Sequence, residues 1–255
     1  MIVTLTKDLN LLNLFLMSIN EDEHENIIVG YDNKLRALSG DYKCKFINVD
    51  EFCDDFFLKF TTFKKCILIK HLLEQGYRNF LFVDDDSIFI KPINFDQTRV
   101  KPVRHVDFSC SEAAMVLGCT EHCYEAAGFV LNLSEEETKI YMEMFDSFVV
   151  KLKKNRHLFL CENERINEKN REIKFSNFFS DTMFLNMFFK KINRIEDKDL
   201  IVNYCDLSLH GFVSFFENYL RNNKLEFNIL HFSGAPKLKY MNLYYNIKRE
   251  KERIP

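Results

Sequence analysis

Asn79-Phe80-Leu81-Phe82-Val83-Asp84-Asp85-Asp86-Ser87-Ile88-Phe89-Ile90-Lys91-Pro92 is an apolar run cut by three consecutive aspartates. The run from 79 to 83 carries no charge and follows Gly76, which closes a helical pattern over 63 to 75. It suits a central strand buried on both faces. In open α/β sheets ligands gather outside the carboxyl ends of strands, and the acids stand at such an end. Extended backbone sends successive side chains to opposite sides, so Asp84 and Asp86 are expected to face one way and Asp85 the other. Two carboxylates on one side make a hard oxygen site for Mn²⁺ or Mg²⁺, with diphosphate oxygens filling the remaining positions. Asp85 then stands outside that pair of carboxylates. Three adjacent acids against core strand repel one another unless a cation neutralises them, whereas a solvated acidic turn is the bland alternative.

Outward from this point, strand-like runs at 2 to 5, 26 to 31 and 45 to 49 alternate with a helical pattern over 9 to 19. Further strands are read at 105 to 110, 128 to 133, 198 to 204 and 227 to 231, and helices at 180 to 189 and 211 to 222. Ser134 with Glu137 three residues later forms a capping box that opens a helix to about 150. The alternation predicts the α/β class: a Rossmann-like layered domain over residues 1 to 255 with a mixed, mainly parallel central sheet. The polar stretch 151 to 175 is read as a lid over a cleft or as a plain surface insertion.

Composition removes several function classes. With 35 basic and 38 acidic residues the net charge is −3, so no general nucleic-acid affinity is expected. The eight cysteines are scattered without the spacing of a disulfide-stapled domain and are read as reduced thiols of a cytoplasmic protein. The start lacks a secretory leader's basic region, and no stretch is long and apolar enough to span a bilayer. Cys119, His122 and Cys123 could offer soft ligands, but no fourth ligand is evident. From about 237 the chain mixes Lys239, Lys248, Arg249, Lys251 and Arg253 with Tyr240, Leu243, Tyr244, Tyr245 and Ile247. Such a tail could make a peripheral contact with anionic lipid, and packing of its aromatics on the domain is the leading expectation.

A second anchor lies at 228 to 239, an apolar strand ending in His231 and followed by Phe232-Ser233-Gly234-Ala235-Pro236-Lys237. An imidazole can complete a metal site begun by two carboxylates, Gly234 permits close backbone approach to a phosphate, and Lys237 can neutralise diphosphate charge.

Asp-x-Asp after a buried strand together with His-x-x-Gly-x-x-Lys near the end resembles the retaining GT-A glycosyltransferases related to glycogenin and bacterial lipopolysaccharide galactosyltransferases, over residues 2 to about 240. A neighbouring pattern, that of retaining nucleotide-diphospho-sugar transferases, fits 76 to 90 equally well. The resemblance implies a GT-A fold and transfer of a sugar, with retention, from a nucleotide-sugar donor, UDP-linked in expectation, to a glycan, protein or lipid-linked acceptor. It implies that Thr4, Leu5, Thr6 and Asp8 line a nucleobase pocket and that Asp85 meets the donor's ribose or sugar. Thr61-Thr62-Phe63-Lys64-Lys65 would bring Lys65 to the donor phosphates, and Asp181 at the start of the stretch ending in Asn186 would contact the transferred sugar as the candidate catalytic residue, orienting a sugar hydroxyl or favouring an oxocarbenium-like transition state. Where the pattern has Asn-x-Gly this chain has Ala126-Ala127-Gly128, leaving Gly128 as the donor-facing position, with Glu125 a substitute polar contact. Where it has Gln the chain has Thr182. An aspartyl-phosphate phosphohydrolase or nucleotidyltransferase, and a non-catalytic sugar-nucleotide-binding relative, are the competing functions. The residues after the acid pair, Ser87-Ile88-Phe89, do not match the phosphohydrolase pattern.

Overall fold

In the computed structural model, residues 1–33, 35, 42–59, 63–91, 105–106, 123–124, 128–155, 180–192, 213–222, 229–232 and 237–253 are described. In chain order the elements are β1 (Ile2–Thr6), α1 (Leu9–Leu16), β2 (Ile27–Tyr31), β3 (Lys45–Asn48), α2 (Asp55–Lys59), α3 (Lys64–Glu74), β4 (Asn79–Val83), β5 (Ser87–Phe89), β6 (His105–Val106), β7 (Cys123–Tyr124), β8 (Gly128–Asn132), α4 (Glu135–Lys154), α5 (Ser180–Lys191), α6 (Val213–Asn222), β9 (Ile229–His231) and α7 (Lys237–Glu252). Strands β1, β2, β3, β4 and β8 form a mainly parallel sheet in the order β3-β2-β1-β4-β8, so the α/β class expected from the alternation is the one observed.

Phe80, Leu81, Phe82 and Val83 are all buried, as a strand flanked by neighbours and covered on both faces requires. From β1 the sheet grows outward through β2 to β3, then returns to place β4 on the other side of β1. The order reverses between β1 and β4, and in this architecture the crevice beyond the carboxyl ends of those two strands receives ligands. Thr6 closes β1, and the aspartate triplet follows β4 directly.

The chain divides into two compact units, one of Met1–Ile47, Phe82–Gln97 and Asp199–Pro255, the other of Asn48–Leu81 and Thr98–Lys198. In the first, β1 and β2 pair in parallel from Ile2 opposite Ile27 to Thr6 opposite Tyr31. Helix α1 is capped by Asp8, whose carboxylate accepts the Asn10 amide at 2.8 Å. It ends earlier than the apolar pattern, because Ser18 and Ile19 donate to the carbonyls of Phe15 and Leu16 and tighten the last turn. The C-terminal residues expected as a tail form α7, which buries Tyr240, Met241, Tyr244, Tyr245 and Ile247 among Leu14, Ile88, Leu220, Leu230 and Phe232. The Tyr245 hydroxyl donates to the Leu14 carbonyl at 2.6 Å. The aromatics of this helix therefore belong to the core, while Lys239, Lys248 and Arg249 are exposed.

The second unit uses phenylalanine as its main filler. Phe63 stacks at 5.4 Å on Phe57, at 5.4 Å on Phe145 and at 5.5 Å on Phe148, and Tyr141 meets Phe184 and Phe188 edge-on. Gly76 adopts φ 84° after α3, the left-handed conformation expected of it. The capping box forms, with Ser134 Oγ accepting from the Glu137 amide and Glu137 accepting from the Ser134 amide. Helix α4 then runs to Lys154, past the expected end, with Lys151, Lys153 and Lys154 complementing the negative end of its dipole. Strand β6 covers only the first two residues of the expected strand at 105 to 110. The rest of that strand, the strand at 198 to 204, residues 156 to 175 of the proposed lid, Cys119 and His122 lie outside the described residues. Among the described residues no helix is long and apolar enough to cross a membrane.

Candidate metal and diphosphate site

Strand β4 stops at Val83, and the chain passes through a turn at Asp85 and Asp86 before β5 begins at Ser87. The aspartates are aimed by this turn rather than by strand alternation, a difference with a local cause. Ile88 must enter the core, so β5 pairs antiparallel with β9, Ser87 opposite His231, and the Asp86 carbonyl accepts the Phe232 amide at 2.8 Å. The same pairing brings His231, remote in sequence, to the triplet. Asp84, Asp86 and His231 each offer one ligand atom, all within 4.8 Å of one another, and Asp85 goes elsewhere.

Asp86 is the centre of the group. It is 2% exposed, and His231 beside it is 3% exposed. His231 Nε2 lies 2.9 Å from Asp86 Oδ1, and the Lys237 ammonium rests on Asp86 Oδ2. Asp86 Oδ1 is fully buried and has no aligned hydrogen-bond partner among the described residues. Burial pushes the Asp86 carboxyl up, but the attraction of His231 and Lys237 outweighs it and holds the group well below the usual carboxylate range. For Lys237, burial lowers the ammonium and the neighbouring carboxylates, Asp86 first, raise it further.

Asp85 accepts a hydrogen bond from Thr6 Oγ1 at 2.6 Å, which ties the carboxyl ends of β4 and β1 together. The same hydroxyl stands 3.0 Å from the Asp8 carbonyl, and its single proton serves one acceptor at a time. Burial, then the charge of Asp86, drives the Asp85 carboxyl up to about 7 against the pull of Thr6. Two carboxylates and an imidazole with a spare buried oxygen fit a hard divalent cation such as Mn²⁺ or Mg²⁺.

The other expected site residues fall as follows. Thr4 is fully buried in β1, and its hydroxyl has no hydrogen-bond partner among the described residues; Leu5 is half-buried. Asp8 caps α1. Gly128 opens β8 and is buried. Lys65 and Asp181 both belong to the second unit, where they pair at 3.3 Å in a buried setting. Asp181 also receives the Thr182 amide at 2.8 Å in the first turn of α5, where a carboxylate suits the helix dipole. Cys66 is a core thiol with its Sγ 3.9 Å from the Asp181 carbonyl, and burial raises it well above its ordinary value. Gly234, Thr61, Thr62, Glu125, Ala126 and Ala127 lie outside the described residues.

Two arrangements were not anticipated. The Thr6 to Asp85 bond depends on β1 lying beside β4, which no local pattern encodes. The buried pair of Lys64 with Asp50 joins α3 to the helical turn Val49–Phe52 that follows β3, and a charged residue inside an apolar helical pattern was its one visible signal.

Among known proteins, no family model matches the chain and no curated protein matches it. Solved structures do. The apo form of the glycosyltransferase GlyE in Streptococcus pneumoniae TIGR4 is 14% identical, over 98% of this chain and 62% of that chain, with a TM-score of 0.44. A further GlyE structure is 13% identical over 98% of this chain and 63% of that chain, with a TM-score of 0.46. Mouse xyloside xylosyltransferase 1 in its apo form is 13% identical, over 93% of this chain and 98% of that chain, with a TM-score of 0.46. The chain thus spans less than two thirds of the length of GlyE.

Proposed function

We propose that the chain is a metal-dependent glycosyltransferase that takes a sugar from a nucleoside-diphosphate donor, UDP-linked in the first instance, and passes it with retention to a glycan, glycoprotein or lipid-linked acceptor. The carrying observation is the convergence of Asp84, Asp86 and His231, from two segments remote in sequence, within 4.8 Å at the end of β4. That end adjoins the point where the strand order reverses.

Breaking the bond from an anomeric carbon to a diphosphate builds negative charge on the departing oxygens, and stabilising that charge is the main catalytic demand. Asp84, Asp86 and His231 would hold Mn²⁺ or Mg²⁺, which supplies an electrophilic neutraliser for the leaving diphosphate. Lys237, with its ammonium at the edge of the same group, adds a second positive charge. Asp85, braced by Thr6, presents its remaining acceptor capacity toward the donor's ribose or sugar, and Thr4 and Leu5 are the strand positions for the nucleobase. Asp181 orients a hydroxyl of the transferred sugar or stabilises positive charge at its anomeric carbon, and Lys65 adds charge for the phosphates. Residues 1 to 255 work as one cytoplasmic catalytic domain in this reading.

Asp86→Ala is expected to abolish metal-stimulated hydrolysis of UDP-sugars by the purified chain. Unchanged turnover contradicts the reading, and so does metal-dependent release of phosphate from simple phosphomonoesters without any sugar nucleotide.

A further inference from the structure

Asp86 is claimed by two side chains at once, His231 at Oδ1 and the Lys237 ammonium at Oδ2. An ammonium and a divalent cation compete for the lone pairs of one carboxylate and repel each other when both stand within a few ångströms. The Lys237 ammonium therefore rests on a carboxylate that belongs to the candidate metal group. Its own position adds a second argument. It is the first residue of α7, and the positive end of a sixteen-residue helix disfavours an ammonium there. What holds the ammonium is the Asp86 carboxylate on which it rests. The Lys237 side chain is 38% exposed against 3% for Asp86, so the lysine can leave toward solvent without disturbing the core, while the aspartate stays fixed.

We propose that Lys237 is an internal counter-ion that must leave Asp86 before Asp84, Asp86 and His231 can hold a divalent cation. The displaced ammonium is then free to meet the donor's diphosphate, so that metal and nucleoside diphosphate bind cooperatively. This rests on the metal-site reading above. It adds a coupling between two ligands that a fixed lysine does not create. Removal of the lysine has opposite effects on them: the metal binds more tightly, because nothing has to be displaced, and the diphosphate binds less tightly, because a cation is missing. By linkage the enhancement of metal binding by diphosphate equals the enhancement of diphosphate binding by metal, and both shrink together.

The experiment is a calorimetric titration of Mn²⁺ into the metal-stripped full chain, with and without saturating UDP, for wild type, Lys237→Met, Lys239→Met and Asp86→Asn. Lys239 is exposed two positions further along and controls for net charge. We expect Lys237→Met to bind Mn²⁺ roughly fivefold tighter without UDP and to lose most of the UDP enhancement, the usual scale of a coupling between sites. Lys239→Met stays near wild type. Asp86→Asn loses about tenfold or more in Mn²⁺ affinity, the worth of one good interaction. If Lys237→Met binds Mn²⁺ no tighter than wild type while Asp86→Asn loses it, the counter-ion idea is overturned and the metal site stands. The counter-ion idea is equally overturned if Lys239→Met tightens binding as much as Lys237→Met. Wild-type Mn²⁺ binding by Asp86→Asn overturns both. Should Lys237→Met fail to fold, Lys237→Gln removes the charge with a polar replacement and is read in the same way.

Discussion

Asp85 shows how a neighbour in sequence can serve a different end in space. Its carboxyl is turned to Thr6 while Asp84 and Asp86 turn to His231. Burial and the charge of Asp86 disfavour its ionised form. Asp85→Asn keeps an acceptor for Thr6 and removes the repulsion, so we expect the metal-free variant to melt a few degrees above wild type at pH 8. A lower melting temperature would show that the carboxylate is compensated by something else. Cysteine chemistry gives a second expectation at this scale. Burial pushes the Cys44 thiol up to about 11 and holds Cys66 well above its ordinary value. Because the thiolate is the reactive form, both should resist alkylation by iodoacetamide at pH 8, and the rate at Cys44 should climb as pH approaches 11. Rapid modification of Cys66 in the folded chain at pH 8 would contradict its placement. The convergence of Asp84, Asp86 and His231 was legible because residue types with strong chemical preferences stood at strand ends. The Lys237 to Asp86 contact was not, since charge complementarity with a diphosphate and with an aspartate look the same in a sequence.

Helices reported themselves through their ends and their stripes. The Ser134 and Glu137 box is purely local, and it formed as read. Ser134→Ala should cost about 1 kcal/mol in denaturant unfolding, with nucleotide binding unaffected, and no change in stability would mean the box is redundant. The final helix α7 was ambiguous because its basic and aromatic residues suited both a lipid surface and a packed face. Burial decides between them: Met241 is 0% exposed within a cluster of core residues. Met241→Ala is therefore expected to destabilise the chain by about 2–5 kcal/mol, measured by urea unfolding, where a surface position would lose almost nothing. Strand ends and helix ends differed from expectation by a few residues. The competing local bonds at Ser18 and Ile19 show why: a hydrophobic pattern marks what faces the core, not where backbone hydrogen bonding changes type.

At the scale of the molecule, alternating strand and helix patterns were enough for the α/β class, and the uncharged run before the aspartates was enough for a central strand. Strand order was not legible. That β4 returns to lie beside β1, so that Thr6 and Asp85 meet, depends on long-range packing with no local signature. The division into two compact units was likewise invisible, because no composition change marks residues 47, 81 or 198. Lys65 and Asp181, both assigned to the donor from resemblance, are partners of one another in the second unit, a pairing no spacing in the chain reveals. The proposed activity depends on a cation that links the acidic group of the first unit to a nucleoside diphosphate. Calorimetric titration of UDP into the metal-stripped chain, with and without Mn²⁺, tests that link directly. We expect UDP affinity to rise by about tenfold or more when Mn²⁺ is present; equal affinity in the presence and absence of the metal would contradict it.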